Sequence, residues 1–153
     1  VVGLVAQALT EANLPAQWLE LELTESIIMD SAERSIVALK ALKALGVRLA
    51  IDDFGTGYSS LSYLKRFPLD KLKIDQSFVA GMSSDANDLA IATAVVAMAH
   101  SLGLEVLAEG ETVSLQEFLA ALHEGPNAAY VRDVKVHYSP ATGEFPDFDI
   151  RYH

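Results

Sequence analysis

Charged side chains recur at the ends of four short apolar segments, and their types and spacing suit chemistry at a metal-bound phosphate. The residues concerned are Glu22, Glu25, Asp52, Asp53, Lys73, Asp75, Glu109 and Glu111. Carboxylates that converge on one place repel each other and raise their pKa values unless a cation lies among them. Oxygen-only ligands favour Mg²⁺ or Mn²⁺ over softer metals. The sequence therefore predicts a site for one of these ions.

The adjacent pair Asp52-Asp53 predicts two neighbouring metal ions. Successive strand residues point to opposite faces, so both carboxylates reach one site only where a strand gives way to a loop. Two metal ions stabilise the attacking and leaving oxygens of an in-line displacement at phosphorus. Lys73 would then orient the nucleophilic water or neutralise the phosphoryl oxygens.

Five of these residues also have a purely structural interpretation. Glu22 and Glu25 are typical of polar strand ends, or of helix N-termini where the dipole favours acids. Asp52-Asp53 before a glycine-rich segment is typical of turns. Lys73 is harder to explain this way, since a lysine in a buried strand normally has a partner. The same chemistry on four consecutive segments favours the functional interpretation.

Alternating strands and helices must position these residues. Strands are predicted over Trp18–Thr24, Val47–Ile51, Lys71–Ile74 and Leu104–Ala108, with a loop over Asp52–Ser60. Helices are predicted over Val1–Glu11, Ser31–Leu45 (with Ser31 as the cap), Leu61–Phe67, Ala86–Leu102 and Ser114–Leu122. The strand centres lie about 24 to 33 residues apart, which is typical of βα units with parallel strands. Their carboxyl ends share one edge, where barrels and open α/β sheets place their chemistry.

The pattern changes after Pro126, where polar and apolar residues alternate on both sides of a turn-like segment, 139–143. We expect residues 126–153 to form a divergent antiparallel β-hairpin, separate from an α/β domain over residues 1–125. Its expected core is aromatic and consists of Tyr130, Tyr138, Phe145, Phe148 and Tyr152.

Composition excludes several classes of function. The chain has 153 residues, of which 51% are apolar, a net charge of −10 and no cysteine. An excess of acid argues against general binding to DNA, RNA or anionic lipid, and the lack of thiols excludes disulfide and zinc–cysteine sites. The longest apolar stretch, Leu89–Ala99, is shorter than the roughly 20 residues of a membrane span. We expect a cytoplasmic protein.

Four segments carry a specific family signature. They are Leu21–Ser26, Ile51–Leu61, Leu72–Asp75 and Ala108–Gly110. In order and spacing, roughly over residues 1–124, they resemble the EAL domain family, the cyclic di-GMP phosphodiesterases of bacterial signalling. The combination of Asp-Asp-Phe-Gly-Thr-Gly with Lys-Ile-Asp is highly specific.

The resemblance implies a TIM-type barrel that uses Mg²⁺ or Mn²⁺ to hydrolyse cyclic di-GMP to linear pGpG. By motif position, Glu22, Asp52 and Asp53 would be metal ligands, with Asp52 as the bridge between two ions. Lys73 would position the attacking water. Glu109 would hold a metal-bound water or assist proton transfer.

The resemblance also implies supporting roles around these residues. Glu25 would brace the Asp52–Ser60 loop, which in the family also links the metal site to dimerisation. Asp75 would support the site from behind the metal ligands. The implied partners are cyclic di-GMP and, in a longer parent protein, sensory or GGDEF domains. A second copy of the chain is expected from the strand count, because four strands make about half a barrel and leave open sheet edges.

The sequence departs from the family pattern in three places. The opening strands with the Glu-Ala-Leu motif, and a later strand with an Asn ligand, do not appear. Gly110 runs directly into Glu111, one residue short of Ala-Glu-Gly-Val-Glu-Thr, so we expect Glu111 to point away from the site. The closing Gln-Gly-Tyr segment does not appear either, so we expect a partial (β/α) barrel domain with weak or absent turnover.

Three interpretations remain open at the level of sequence. The first is a metal-dependent phosphodiesterase, supported by Glu22, Asp52, Asp53, Lys73 and Glu109. The second is a degenerate EAL module that binds nucleotide or a protein partner without catalysis, favoured by the missing ligands. The third is an incomplete or rearranged product without a function of its own, favoured by the unmatched tail.

Overall fold

The computed structural model describes residues 1–55, 61–81, 86–124 and 136–139, which form an α/β fold. The strands are β1 (Glu20–Thr24), β2 (Arg48–Phe54), β3 (Lys71–Ile74) and β4 (Glu105–Ala108). The helices are α1 (Val2–Glu11), α2 (Glu25–Asp30), α3 (Ala32–Leu45), α4 (Leu61–Leu64), α5 (Gln76–Gly81), α6 (Ala86–Ser101) and α7 (Thr112–Glu124). A 3₁₀ turn at Ala16–Trp18 precedes β1.

The strands form one parallel sheet in the order β1-β2-β3-β4. Ala50 in the middle of β2 is in register with Glu22 on β1 and with Lys71 on β3. Lys71 is in turn in register with Glu105 on β4. The predicted parallel arrangement is confirmed, and the carboxyl ends of all four strands lie at one edge.

The two faces of the sheet differ in chemistry because successive strand residues point to opposite sides. One face carries Leu21, Leu49, Ile51 and Leu72, and packs into the apolar core beneath the helices. The other face carries charged residues at alternate positions of the same strands, namely Glu20, Glu22, Arg48, Asp52, Lys71, Lys73 and Glu105. The candidate site lies on this polar face.

Helix α3 shows how the sequence fixes the layer outside the sheet. Ile36, Leu39 and Leu42 recur at helical spacing and are buried in the core. Gly46 ends the helix in a left-handed conformation (φ 96°) and donates its N–H to the carbonyl of Lys43, as glycine does at helix C-termini. The chain then enters β2 directly beneath α3.

Several element boundaries differ from those predicted. Trp18 belongs to the 3₁₀ turn and is exposed, so β1 begins at Glu20. Helix α4 ends at Leu64, and α7 begins at Thr112, because the N–H of Leu115 already bonds to the carbonyl of Glu111. The six-residue helices α2 and α5 were not predicted, since they are too short to show a full helical period of apolar residues.

The predicted hairpin at 126–153 lies outside the described residues except for 136–139. Val136, His137, Tyr138 and Ser139 belong to no helix or strand and are exposed. The expected core position of Tyr138 is wrong, since 67% of this residue is exposed. Among the described residues, no helix has the length and apolar character needed to cross a membrane.

Candidate active site at the carboxyl edge of the sheet

Lys73 joins three strands at the centre of the site. Its Nζ donates to Oε2 of Glu22 on β1 at 2.8 Å and to Oδ2 of Asp52 on β2 at 3.2 Å. Side-chain exposure is 18% for Lys73, 45% for Glu22 and 30% for Asp52. The expected partner of this lysine is therefore supplied by two of the predicted ligand residues.

The protonation state of Lys73 follows from these contacts. Partial burial alone would lower the pKa of Lys73, but the hydrogen bonds to Glu22 and Asp52 outweigh it and raise the pKa above its ordinary value. Lys73 is therefore a cation at neutral pH. It can orient or neutralise anionic oxygens, and it cannot act as a proton acceptor there.

Asp52 and Asp53 reach the site by a route that the sequence did not predict. They lie within β2, which continues to Phe54, so the expected loop from Asp52 is wrong at its start. The register between β2 and β3 shifts between Ile51 and Phe54, and Asp53 adopts a left-handed φ of 53°. A bulge of this kind re-aims side chains without ending the strand.

The electrostatics of Asp53 show an excess of negative charge at this bulge. Loss of solvation raises the pKa of Asp53, and the nearby charges of Asp52 and Asp75 raise it further, while Lys73 opposes them. The backbone N–H of Asp53 donates to Oδ1 of Asp52 at 3.0 Å. Asp52 thus accepts from Lys73 through one oxygen and from the bulge through the other.

Glu25 lies beside the segment it was predicted to brace. It is the first residue of α2, only 4% exposed, and its Oε2 accepts from the N–H of Gly55 at 3.4 Å. The contact reaches the start of the predicted loop, while residues 56–60 lie outside the described part of the chain. A buried carboxylate with a backbone donor is a structural anchor for Gly55.

Asp75 has a local structural task as well as an electrostatic one. Its Oδ1 accepts from the N–H of Ser77 at 2.8 Å and also from the Ser77 hydroxyl. These bonds hold the first turn of α5, which follows β3 immediately. The Asp-x-Ser pattern after β3 was the available sequence signal for this cap.

Glu109 and Glu111 lie beyond β4 and are exposed. The hydrogen bonds of Lys73 to Glu22 and Asp52 run to β1 and β2, and the structure does not bring Glu109 or Glu111 into this group. Gly110 between them packs tightly, since a Cβ there would lie 2.4 Å from Cγ1 of Val79. This close approach holds the turn after β4 against α5.

The donor chemistry of the site fits a hard divalent cation. Glu22, Asp52 and Asp53 offer only carboxylate oxygens, the ligands that Mg²⁺ and Mn²⁺ prefer. Within residues 1–55, 61–81, 86–124 and 136–139, no group of three or more histidine or acidic side chains is already close enough to hold an ion. The residues therefore match Mg²⁺ or Mn²⁺ in the type of ligand atom and in their place at the carboxyl edge of the sheet.

Sequence reasoning missed a second charged row on the same face, nearer the start of the strands. Lys71 Nζ contacts both carboxylate oxygens of Glu20, at 2.6 and 2.8 Å. Arg48 contacts Glu20 at 3.6 Å and Glu105 at 2.6 Å. The repeated alternation of Glu20 with Glu22 and of Lys71 with Lys73 was the signal that could have found this row.

Comparisons with known proteins all indicate the same family. The model of the EAL domain matches residues 1–124. The chain is 49% identical over 124 residues to the cyclic di-GMP phosphodiesterase NbdA of Pseudomonas aeruginosa, covering 80% of this chain and 16% of that protein. It is 49% identical over 123 residues to the bifunctional diguanylate cyclase/cyclic di-GMP phosphodiesterase MucR of the same organism, covering 80% of this chain and 18% of MucR.

Solved structures agree in fold. The MucR phosphodiesterase in complex with cyclic di-GMP superimposes with a TM-score of 0.73 at 50% identity, over 77% of this chain and 48% of that one. BlrP1 of Klebsiella pneumoniae, in a manganese and cyclic di-GMP complex, gives 0.70 at 38% identity, over 78% of this chain and 31% of that one. The chain thus spans less than half of either structure, and less than a fifth of NbdA or MucR.

Proposed function

Because the chain belongs to the EAL domain family, we propose that it carries the site of a metal-dependent phosphodiesterase that hydrolyses cyclic di-GMP to pGpG. The observation that supports this most directly is the contact of Lys73 with Glu22 and Asp52 across three strands. Relatives whose names state this activity share nearly half of its residues over the matched region.

Each residue of the site has a proposed task. Glu22, Asp52 and Asp53 would hold Mg²⁺ or Mn²⁺, which supplies water activation and charge neutralisation at the phosphoryl group when bound. Lys73, held as a cation, orients the attacking water and the phosphoryl oxygens. Glu109, exposed beyond β4, is proposed to assist proton transfer from the water.

The surrounding residues keep this arrangement in place. Glu25 fixes the backbone at Gly55 and Asp75 fixes the start of α5, so the bulge at Asp53 has support on both sides. Glu111 is proposed to take no direct part. We expect slow turnover by the isolated chain, since it matches 48% of the MucR phosphodiesterase structure and the remainder of that structure has no counterpart in the match.

A test of this function follows pGpG formation by the purified chain with cyclic di-GMP and Mn²⁺ or Mg²⁺. Asp52→Asn removes a proposed ligand charge and the partner of Lys73, so turnover should fall by roughly 100-fold or more. Addition of a chelator should have the same effect. Turnover that survives either treatment would contradict the metal-site assignment.

The matched control is Glu33→Gln, which also neutralises one carboxylate paired with a cation. Glu33 binds Arg66 on the surface at 2.7 Å, outside the site. Its substitution should leave turnover unchanged. Equal losses in both variants would indicate a general effect of charge rather than a metal site.

A second candidate is a module that binds cyclic di-GMP without hydrolysing it. The specific observation in its favour is that Lys73 already neutralises Glu22 and Asp52, and that no group of three or more acidic or histidine side chains in the described segments is arranged to hold an ion. Calorimetry that detects binding of cyclic di-GMP, together with absence of pGpG over long incubation, would select this function.

We also propose that the chain works within a larger assembly. MucR, whose name combines diguanylate cyclase and phosphodiesterase activities, extends far beyond the matched region. Sensory or diguanylate cyclase domains in the same polypeptide, and a second copy of the chain, are the proposed partners.

A further inference from the structure

Two lysine–glutamate bridges run side by side over β2 on the polar face of the sheet. Lys73 on β3 reaches Glu22 on β1 at 2.8 Å, and Lys71 on β3 reaches Glu20 on β1 at 2.6 Å. Residues two apart on a strand share a face, so the second bridge repeats the first one row lower. Only the upper bridge belongs to the site proposed above.

Ala50 makes both crossings possible. It is in register with Glu22 on one side and with Lys71 on the other, and it is completely buried. Strands β1 and β3 lie two strand spacings apart, roughly 10 Å, so each lysine must extend over β2 to reach its glutamate. A methyl group at position 50 leaves that path open, whereas a branched side chain would project into it.

The lower bridge is anchored more firmly than the upper one. Lys71 and Glu20 are 19% and 25% exposed, and Lys71 contacts both oxygens of Glu20. Arg48 extends the row by joining Glu20 to Glu105, so the lower row links all four strands. Glu20 is therefore fully occupied by cations of its own row.

This occupation matters for Lys73. Without Lys71, Glu20 would keep only the longer contact to Arg48 at 3.6 Å. It lies one row below Glu22 on the same face, so it would then attract the flexible ammonium of Lys73. An unpaired ammonium at Lys71 would likewise compete for Glu22. Partly buried charged groups are stable only when they are paired. Removal of Lys71 or Glu20 should therefore change the contacts of Lys73 and Glu22.

We propose that Lys71 and Glu20 are positioning residues, which keep Lys73 on Glu22 and Asp52 by satisfying each other over Ala50. The expected effect of Lys71 and Glu20 on turnover rests on the phosphodiesterase function proposed above. Their effect on the position of Lys73 does not depend on that function. The residues act through Lys73 and are not expected to touch substrate.

The test compares Lys71→Met and Glu20→Gln with the conservative variant Lys71→Arg, which keeps the cation beside Glu20. Crystal structures give the distance from Lys73 Nζ to Glu22 Oε2, and kinetics with cyclic di-GMP and Mn²⁺ give kcat and KM. In Lys71→Met, Lys73 should move toward Glu20 and its distance to Glu22 should exceed hydrogen-bonding range. The value of kcat should fall roughly tenfold with KM nearly unchanged, because orientation rather than binding is lost.

Lys71→Arg keeps a cation opposite Glu20, so it should retain the Lys73–Glu22 contact and most of kcat. Ala50→Val is a second, independent variant, which keeps every charge and should lengthen both bridges. Arg66→Met is the matched control, since it removes a cation–carboxylate pair of 2.7 Å with Glu33 on the surface, outside this row. It should leave the Lys73–Glu22 distance unchanged.

An unchanged Lys73–Glu22 contact in both Lys71→Met and Ala50→Val would overturn the proposal. So would a displacement of the same size in Arg66→Met. If the unaltered chain forms no pGpG, the proposed function fails, while the distances still decide the positioning role. Should Lys71→Met not fold, Glu20→Gln and Ala50→Val carry the same comparison.

Discussion

At the scale of single residues, the neighbours of each charged side chain in this sheet determine its protonation state and its role. Lys73 is held as a cation by Glu22 and Asp52, whereas the pKa of Asp53 is raised mainly by loss of solvation and by neighbouring acids. The two residues thus place a fixed positive charge beside a carboxyl group whose ionised form is disfavoured. A divalent cation bound beside Asp53 would favour its ionised form. Lys73 would still be needed to orient the anionic oxygens.

Asp70 illustrates a charge whose role is stability. Its carboxylate accepts from Lys43 at 2.7 Å and from the N–H of Leu49 at 2.8 Å, which joins α3 to the start of the sheet. Partial burial acts to raise the pKa of Asp70, but the hydrogen bonds from Lys43 and Leu49 outweigh it and the net pKa is lowered. The ionised form of Asp70 therefore stabilises the folded state.

This lowered pKa predicts a loss of stability in acid. The contribution of Asp70 should be fully present above the unfolded pKa of about 3.9 and disappear as pH falls through the lower folded value. At neutral pH, Asp70→Asn should reduce the free energy of unfolding by about 1 kcal/mol, allowing for partial exposure. Urea unfolding of both proteins between pH 7 and 3 measures the difference.

The difference between Asp70→Asn and the unaltered chain should stay constant from pH 7 to about 5 and shrink below about 4. A difference that grows in acid would contradict the assignment. Glu33→Gln is the control for a pair on the open surface and should show little effect at any pH.

At the scale of elements, short irregular features aim the side chains that the regular elements carry. The bulge in β2 turns Asp52 and Asp53. The six-residue helices α2 and α5 begin at the ends of β1 and β3, where Glu25 opens α2 and Asp75 caps α5. Gly55 follows the bulge with φ of 105°, and a Cβ there would lie 2.8 Å from the ring of Phe78. The carboxyl edge therefore depends on close backbone packing against α5.

A substitution at Gly110 can test how far the carboxyl edge depends on close packing against α5. A Cβ at position 110 would lie 2.4 Å from Cγ1 of Val79, which is completely buried. Gly110→Ala should lower the free energy of unfolding by about 1–3 kcal/mol through overpacking, as measured by urea denaturation. Addition of Val79→Ala should make the Gly110→Ala change cost less than it does alone, since the clash is removed.

The control for Gly110→Ala is Gly3→Ala, the same substitution in α1 where nothing lies within 4 Å of the added Cβ. Because alanine favours helix over glycine, this variant should be neutral or more stable. A cost at Gly110 no greater than that at Gly3 would show that the approach to Val79 is unimportant.

At the scale of the whole molecule, the sheet is open within the described residues. The strand order leaves one edge of β1 and one edge of β4 without a strand partner in this part of the chain. An apolar cavity of about 310 Å³ lies beside β4, lined in part by Val106, Leu107, Phe118 and Tyr138. Open edges with adjacent apolar surface are a known route to association.

The predicted consequence is self-association of the 153-residue chain. Sedimentation velocity over a range of protein concentrations should show a dimer or larger species, since two open sheets can cover each other's edges. The experiment requires circular dichroism in parallel to establish that the chain is folded. A folded chain that sediments as a monomer at all concentrations would contradict the prediction.

The sequence alone determined the parallel α/β arrangement, because apolar runs at βα spacing leave few other ways to bury them. It also determined that Glu22, Asp52 and Lys73 would meet, because carboxyl ends of parallel strands share an edge. Tertiary structure alone decided how they meet. The bulge at Asp53 depends on pairing with β3, and Glu20 faces Lys71 only because the register aligns strands that are 51 residues apart along the chain. Such contacts depend on register between distant segments, which local sequence patterns do not encode.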